Sequence, residues 1–151
     1  MMTKELMIQV KNSIFEVMET MFFLTLEQAD TDSPPPSTDT LSSRGCSIPF
    51  TGTISGKIYF QVPLNLLELM ASNFMGQSEE QLSAEEINGT LTEALNMIAG
   101  NALTRFNPDV YMGLGLPSIE ALPIQDPMDE TLTFLTQEGV MTAHIKLDSM
   151  G

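Results

Sequence analysis

A long amphipathic helix in the second half of the chain is the feature that most constrains the fold. The sequence predicts it over residues 83 to about 105. Ser83-Ala-Glu-Glu86 is typical of a capping box, with a hydroxyl at the N-cap and a carboxylate three residues later. After it, apolar side chains recur every three or four residues, as one buried face of a helix requires. They are Ile87, Leu91, Ala94, Leu95, Ile98 and Ala102.

The opposite face of this helix is polar and contains two glycines. At about 100° per residue, Glu93, Asn96 and Gly100 fall within one sector, and Gly89 joins them. Glycine inside a helix costs roughly 1 kcal/mol relative to alanine. Two glycines on one face therefore suggest that something approaches the helix backbone closely. Spacing alone favours a solvated face with no role, since charged and amide residues normally line exposed helix faces.

A motif on this face resembles the signature of a known family. Glu93-x-x-Asn96-x-x-x-Gly100-Asn101 is similar to that of the CheC/CheX/FliY group of bacterial chemotaxis phosphatases. The run from Asn96 to Ala102 is especially similar to the CheX branch, and the chain length and order of elements agree with it. The resemblance implies a phosphatase that acts on the aspartyl-phosphate of a CheY-like response-regulator receiver domain.

The resemblance also implies a role for each residue of the motif. Asn96 orients the attacking water in line with the phosphorus, and Glu93 pairs with a lysine of the receiver and fixes the docking register. Gly100 lets the helix lie close to the partner, and Asn101 either hydrogen-bonds at the rim or holds the helix end. This chain itself would bind no metal or other cofactor, because Mg²⁺ is expected on the partner receiver.

The residue types agree with this chemistry. Two carboxylates would suggest acid and base hydrolysis of glycosides, whereas this face has one carboxylate and one amide. An amide cannot serve as a base, but it can orient a water by accepting and donating hydrogen bonds. Hydrolysis of a phosphoryl group consists mostly of positioning the water and stabilising charge.

One position departs from the family pattern. Relatives often have Asp or Ser four residues before the glutamate, and this chain has Gly89 there. The departure puts one partner contact in doubt and leaves the positioning of water untouched. We expect Gly89 to affect affinity or the choice of partner.

Two other functions are compatible with the same sequence features. One is a non-catalytic receiver-binding or regulatory module, as the related flagellar-switch proteins suggest. The other is an acidic scaffold dimer with no receiver partner. Asn96 separates the first from a phosphatase, because only a phosphatase has turnover to lose when this residue is changed.

The remaining segments predict an α+β fold, in which long helices pack on a mostly antiparallel sheet. The CheC/CheX resemblance implies the same fold, one domain over residues 1–151, and a homodimer built through sheet edges. A polar, proline-rich loop is expected at residues 30–43. The predicted elements are a helix at 3–23, a hairpin at 46–62, a helix from Pro63 to a stop at Gly76, a strand at 114–122 broken by Pro117, and a hairpin at 132–147.

Individual side chains in these elements carry further predictions. Phe22 and Phe23 should close the core at the end of the first helix. In the CheC branch this helix also carries a Glu-x-x-Asn motif, but here a carboxylate, Glu19, stands in place of the amide. We therefore interpret the first helix as structural. Cys46 should be a small buried residue, and His144 should be exposed or lie at the rim of the last strand.

Composition excludes several classes of function. The chain has 6 Lys and Arg against 20 Asp and Glu, a net charge of −14, so nucleic acid and anionic membranes are poor partners. One Cys and one His leave no His/Cys metal cluster to propose. The sequence shows no apolar run long enough to span a bilayer and no secretory signal pattern, so we expect a cytoplasmic protein.

Overall fold

Three helices cover one face of an antiparallel sheet in the computed structural model, which describes residues 2–28, 43–106, 112–124 and 127–148. The helices are α1 (Met2–Phe22), α2 (Leu64–Met75) and α3 (Ala84–Phe106), and a short 3₁₀ helix (Glu79–Gln81) joins the last two. The strands are β1 (Glu27–Gln28), β2 (Ser43–Thr51), β3 (Gly56–Pro63), β4 (Gly113–Leu114), β5 (Ser118–Glu120), β6 (Glu130–Thr136) and β7 (Gly139–Leu147). The α+β prediction is confirmed.

The sheet has the order β1-β6-β7-β3-β2-β4, and β5 also pairs with β2. Both predicted hairpins form. In the first, Cys46 lies opposite Phe60 and Ile48 opposite Ile58, so the apolar residues of both strands share one face. In the second, β6 and β7 meet at the turn before Gly139, which has a φ of 133°.

The core lies between the helices and this apolar face of the sheet. The predicted stripe of α3 faces it: Ile87 is half-buried, and the other five residues are fully buried. From the sheet side, Phe50, Phe60, Phe134 and Ile145 are also buried. Burial of this stripe fixes the rotation of α3, so that the polar face of the helix turns outward.

The predicted strand at 114–122 forms as two short strands rather than one. β4 pairs with the end of β2, and β5 pairs with its beginning. Between them the chain is held by one hydrogen bond, in which the N–H of Gly115 donates to the carbonyl of Pro49 at 2.9 Å. Pro49 has no N–H to donate to a neighbouring strand. Its position in β2 therefore coincides with the gap between β4 and β5.

Three local predictions were wrong by a small margin. Phe22 is buried, but Phe23 is 71% exposed, because the chain turns there with a φ of 59° and brings Leu24 against the core instead. Pro63 ends β3, and α2 begins one residue later. Ser43, the last residue of the predicted proline-rich loop, starts β2 and is buried, while residues 30–42 of that loop lie outside the described part of the chain.

The predicted stop of α2 is confirmed. Gly76 caps the helix with a φ of 67°, and its N–H donates to the carbonyl of Ser72 at 2.9 Å. A left-handed residue at this position favours glycine because it has no Cβ. The last turn of α2 therefore ends at the surface, close to the first half of α3.

Candidate functional site

The start of α3 is fixed by the predicted capping box. The N–H of Glu86 donates to the Ser83 hydroxyl at 3.1 Å, and the N–H of Ser83 donates to the Glu86 carboxylate at 2.9 Å. These two bonds satisfy backbone donors that the first turn of a helix leaves free. With its start and its buried stripe both fixed, α3 presents its outer face in one orientation.

Glu93 and Asn96 are both exposed on this outer face. They stand one turn apart, where the Cβ atoms of helix neighbours are about 5–6 Å from each other. Between them, Ala94 and Leu95 are fully buried. Among the described residues, neither Glu93 nor Asn96 has a hydrogen-bond or ion-pair partner. The carboxylate and the amide are therefore both free to bind a group from outside the chain.

The two glycines of this face have different surroundings. Gly89 is exposed, and a Cβ added there would meet no atom within 4 Å. Gly100 is half-buried, and a Cβ added there would lie 3.7 Å from Cδ1 of Leu114 in β4. A partner can thus reach the helix backbone freely at Gly89, whereas the chain's own Leu114 partly covers the helix at Gly100.

Asn101 is also exposed, but it points in another direction from Asn96. The two residues are separated by about 140° around the helix, and Asn101 is about 80° from Glu93. Further along the helix, Arg105 forms an exposed ion pair with Glu16 of α1. Glu16 belongs to the helix interpreted as structural, so its carboxylate here joins α1 to α3.

A pocket of about 330 Å³ lies beside Glu93, between the end of α2 and the first half of α3. Its lining residues are Phe74, Met75, Glu86, Gly89, Thr90 and Glu93. Gly89 and Glu93 therefore belong both to this pocket and to the motif face. The missing side chain at Gly89 helps to keep the pocket open.

Four residues of this pocket were not among the predicted site residues: Phe74, Met75, Glu86 and Thr90. For the two residues of α2, the helical spacing predicts Phe74 on the buried face, and a methionine in a helix, such as Met75, is expected first to fill the core. They are instead 42% and 40% exposed. The Phe74 ring packs against Phe22 with ring centroids 5.4 Å apart. The signal that could have located them is Gly76, because a helix stop directly after two large apolar residues puts them in an end turn at the surface.

Cys46 and His144 do not form a catalytic pair. The Cys46 thiol is buried in the core, 3.9 Å from the carbonyl oxygen of Leu91, and burial raises its pKa, with the charge of Glu120 adding to the effect. His144 alternates with the core residues of β7 and so lies on the other face of the sheet. Its Nδ1 is 2.8 Å from the hydroxyl of Thr131, and burial lowers its pKa. The prediction of a buried Cys46 is confirmed.

The described segments contain neither a candidate metal cluster nor a membrane-spanning helix. No group of three or more His, Cys, Asp or Glu side chains in them is placed to hold a metal ion. Within the same segments, no helix combines the length and the apolar character that crossing a membrane requires.

The sequence of this chain matches a protein-family model. The model described as chemotaxis phosphatase CheX matches residues 44–121. This span includes α2, α3 and the whole motif face. Among curated proteins, no sequence matches this chain.

Solved structures with similar folds include CheX of Vibrio vulnificus, with a TM-score of 0.76 and 18% identity over 95% of this chain and 96% of that one. A CheX–CheY–BeF₃–Mg²⁺ complex from Borrelia burgdorferi matches with a TM-score of 0.72 and 17% identity, over 95% of this chain and 97% of that one. FliY of Thermotoga maritima matches with a TM-score of 0.56 and 14% identity, over 91% of this chain and 84% of that one. At these identities the likeness establishes the fold.

Proposed function

Because the chain belongs to the CheX family of chemotaxis phosphatases, we propose that it hydrolyses the aspartyl-phosphate of a CheY-like receiver domain. The observation that carries this proposal is the exposure of Glu93 and Asn96 on one face of α3, whose other face is buried. A rigid helix can insert such a pair into the site of another protein. The chain then supplies half of an active site, and the receiver supplies the rest.

In the proposed reaction, the Asn96 amide holds a water against the phosphorus of the receiver. Its carbonyl oxygen accepts a hydrogen bond from the water and its N–H₂ donates one to it or to a phosphoryl oxygen, so the water attacks in line. The new bond joins the water oxygen to phosphorus, and the bond from phosphorus to the aspartate oxygen breaks. The aspartate leaves as a carboxylate, and both water protons leave with the phosphate.

Glu93 acts as the docking residue in this proposal. Its free carboxylate pairs with a lysine beside the phosphorylated aspartate, and this contact sets the position of Asn96 one turn further along the helix. Mg²⁺ held by the receiver would neutralise charge on the phosphoryl oxygens. No group of this chain needs to hold the ion. Gly89 lies beside the pair as a further partner-binding residue, and Asn101 would contact the partner only at the rim. Gly100 shapes the helix surface between β4 and the partner.

The class of partner is supported by one structural neighbour. The Borrelia burgdorferi protein of the same fold was solved as a complex with CheY, BeF₃ and Mg²⁺. A fold of this kind can therefore present a surface to a CheY protein. The net charge of −14 on the present chain also suits a partner site that contains a lysine and a metal ion.

The experiment that tests the proposal measures the loss of phosphate from CheY-like receivers encoded in the same genome, with and without this protein. We expect at least one receiver to lose its phosphate faster when the protein is present. Binding of the same receivers is measured in parallel, after activation with beryllofluoride. Binding without acceleration of any receiver would contradict the phosphatase and favour the non-catalytic module.

A further inference from the structure

The pocket beside Glu93 has no part in the hydrolytic step, yet it adjoins the catalytic face. At about 330 Å³ it lies near the lower end of the range for ligand pockets, about 300–1,000 Å³. That volume suits one large side chain better than a cofactor. Gly89 and Glu93 form one wall, and the last turn of α2 forms the other.

The wall from α2 is apolar and partly exposed. Phe74 is held in place by its contact with Phe22, which is fully buried, so its ring forms a firm surface. Met75 is beside it, and its flexible thioether side chain can adapt to an occupant. Exposed apolar residues that adjoin polar ones are typical of interaction sites, because a partner that covers them removes apolar surface from water.

The polar groups at the pocket carry negative charge. Glu86 and Glu93 supply two carboxylates, and none of the lining residues is Lys, Arg or His. The Glu86 carboxylate is held by the N–H of Ser83, which fixes its position. The pocket thus combines an apolar wall with two carboxylates. It would fit an apolar group that lies next to a cationic group better than it would fit an anionic or a purely polar group.

We propose that the pocket receives an apolar side chain of the receiver, carried next to the cationic group that pairs with Glu93. This inference rests on the proposed function. A receiver that brings its phosphorylated aspartate to Asn96 covers Gly89 and Glu93, and these two residues are also a wall of the pocket. A buried anchor in such a pocket contributes a large share of binding energy, so the pocket selects among receivers.

The test fills the pocket without harming the helix. Because Gly89 is helical and faces open space, Gly89→Leu adds a side chain into the pocket and raises helix propensity. We expect it to raise the Kd for the beryllofluoride-activated receiver about tenfold. Gly89→Ala, which adds one carbon, should raise the Kd less. The matched control is Asn12→Leu, which adds the same side chain at an exposed position of α1 that does not line the pocket.

A second variant keeps the test independent of how Gly89→Leu folds. Met75→Glu adds a third carboxylate to the pocket and removes part of its apolar wall, and it should also weaken binding, with thermal unfolding monitored for each variant. A wild-type Kd for both Gly89→Leu and Met75→Glu would overturn the inference. If wild-type protein still accelerates loss of phosphate in that case, the proposed function stands and the pocket alone is wrong. A change in self-association with unchanged receiver binding would assign the pocket to a second copy, and would also overturn it.

Discussion

Glu93 and Asn96 owe their exposure to the residues between and beyond them. Leu91, Ala94 and Leu95 are fully buried, and their spacing leaves positions 93 and 96 on the outer face. The pair needs no hydrogen bond within the described chain to hold its place, because the rotation of the helix is set by its apolar side. Packing of the apolar side of α3 thus fixes the position of the site, and the polar groups of Glu93 and Asn96 stay available to a partner.

His144 should make the stability of the protein depend on pH. Burial lowers its pKa in the folded chain, below an ordinary value of about 6.5. Below about pH 6.5 the unfolded chain therefore binds this proton more readily than the folded chain, and the free energy of unfolding falls as the pH drops. We expect His144→Gln to lose less stability than the wild type between about pH 7 and pH 5. Urea unfolding at both pH values measures this, and equal losses in the two proteins would contradict it.

The burial of some single residues could not be predicted from sequence patterns. Both Phe22 and Phe23 are expected to close the core, but the helix ends at Phe22. Phe23 adopts the left-handed conformation of a helix cap, in which the N–H of Leu24 donates to the carbonyl of Met18. Helical spacing alone predicts a buried position for Phe74 and Met75, because large apolar residues on a helix usually face the core. Only the relative position of α2 and α3 shows that these two side chains border a pocket.

At the level of elements, local signals predicted the ends of the helices to within about one residue and the ends of the hairpins to within about three. α3 was predicted from residue 83 to about 105 and extends from Ala84 to Phe106, because its capping box and its apolar stripe are both local. β1 was missed, since two residues, Glu27 and Gln28, carry no pattern and are ordered by pairing with β6. The site face was predictable for the same reason as α3: every residue of it lies on one helix.

We propose that two copies pair through β5, which lies at one edge of the sheet. Ile119 of this strand is 47% exposed, and Leu116, which lies two residues before the strand begins, is 85% exposed. An apolar edge of this kind favours pairing with another strand. Sedimentation should therefore show a dimer, and Ile119→Lys should shift it to a monomer. Leu135→Lys, at the opposite end of the sheet, is the matched control. A wild-type monomer at every concentration would rule out the dimer.

At the scale of the whole molecule, charge and shape act together. A net charge of −14 speeds the approach of a partner with a basic surface and makes the rate of association fall as salt is added. The helices all lie on one side of the sheet, and the motif face of α3 extends towards the edge formed by β4, since Gly100 lies beside Leu114. Receiver binding and pairing through β5 would therefore use neighbouring parts of the surface.

The most direct test of this account separates turnover from binding in Asn96→Ala. Removing the amide should lower the rate of receiver dephosphorylation at saturation by about a hundredfold, because the attacking water is no longer oriented. The Kd for the beryllofluoride-activated receiver should stay close to that of the wild type, since Glu93 still docks. Asn12→Ala, which removes an exposed amide from α1, should change neither quantity. Full turnover by Asn96→Ala would contradict the account, because its central claim is that this amide positions the water.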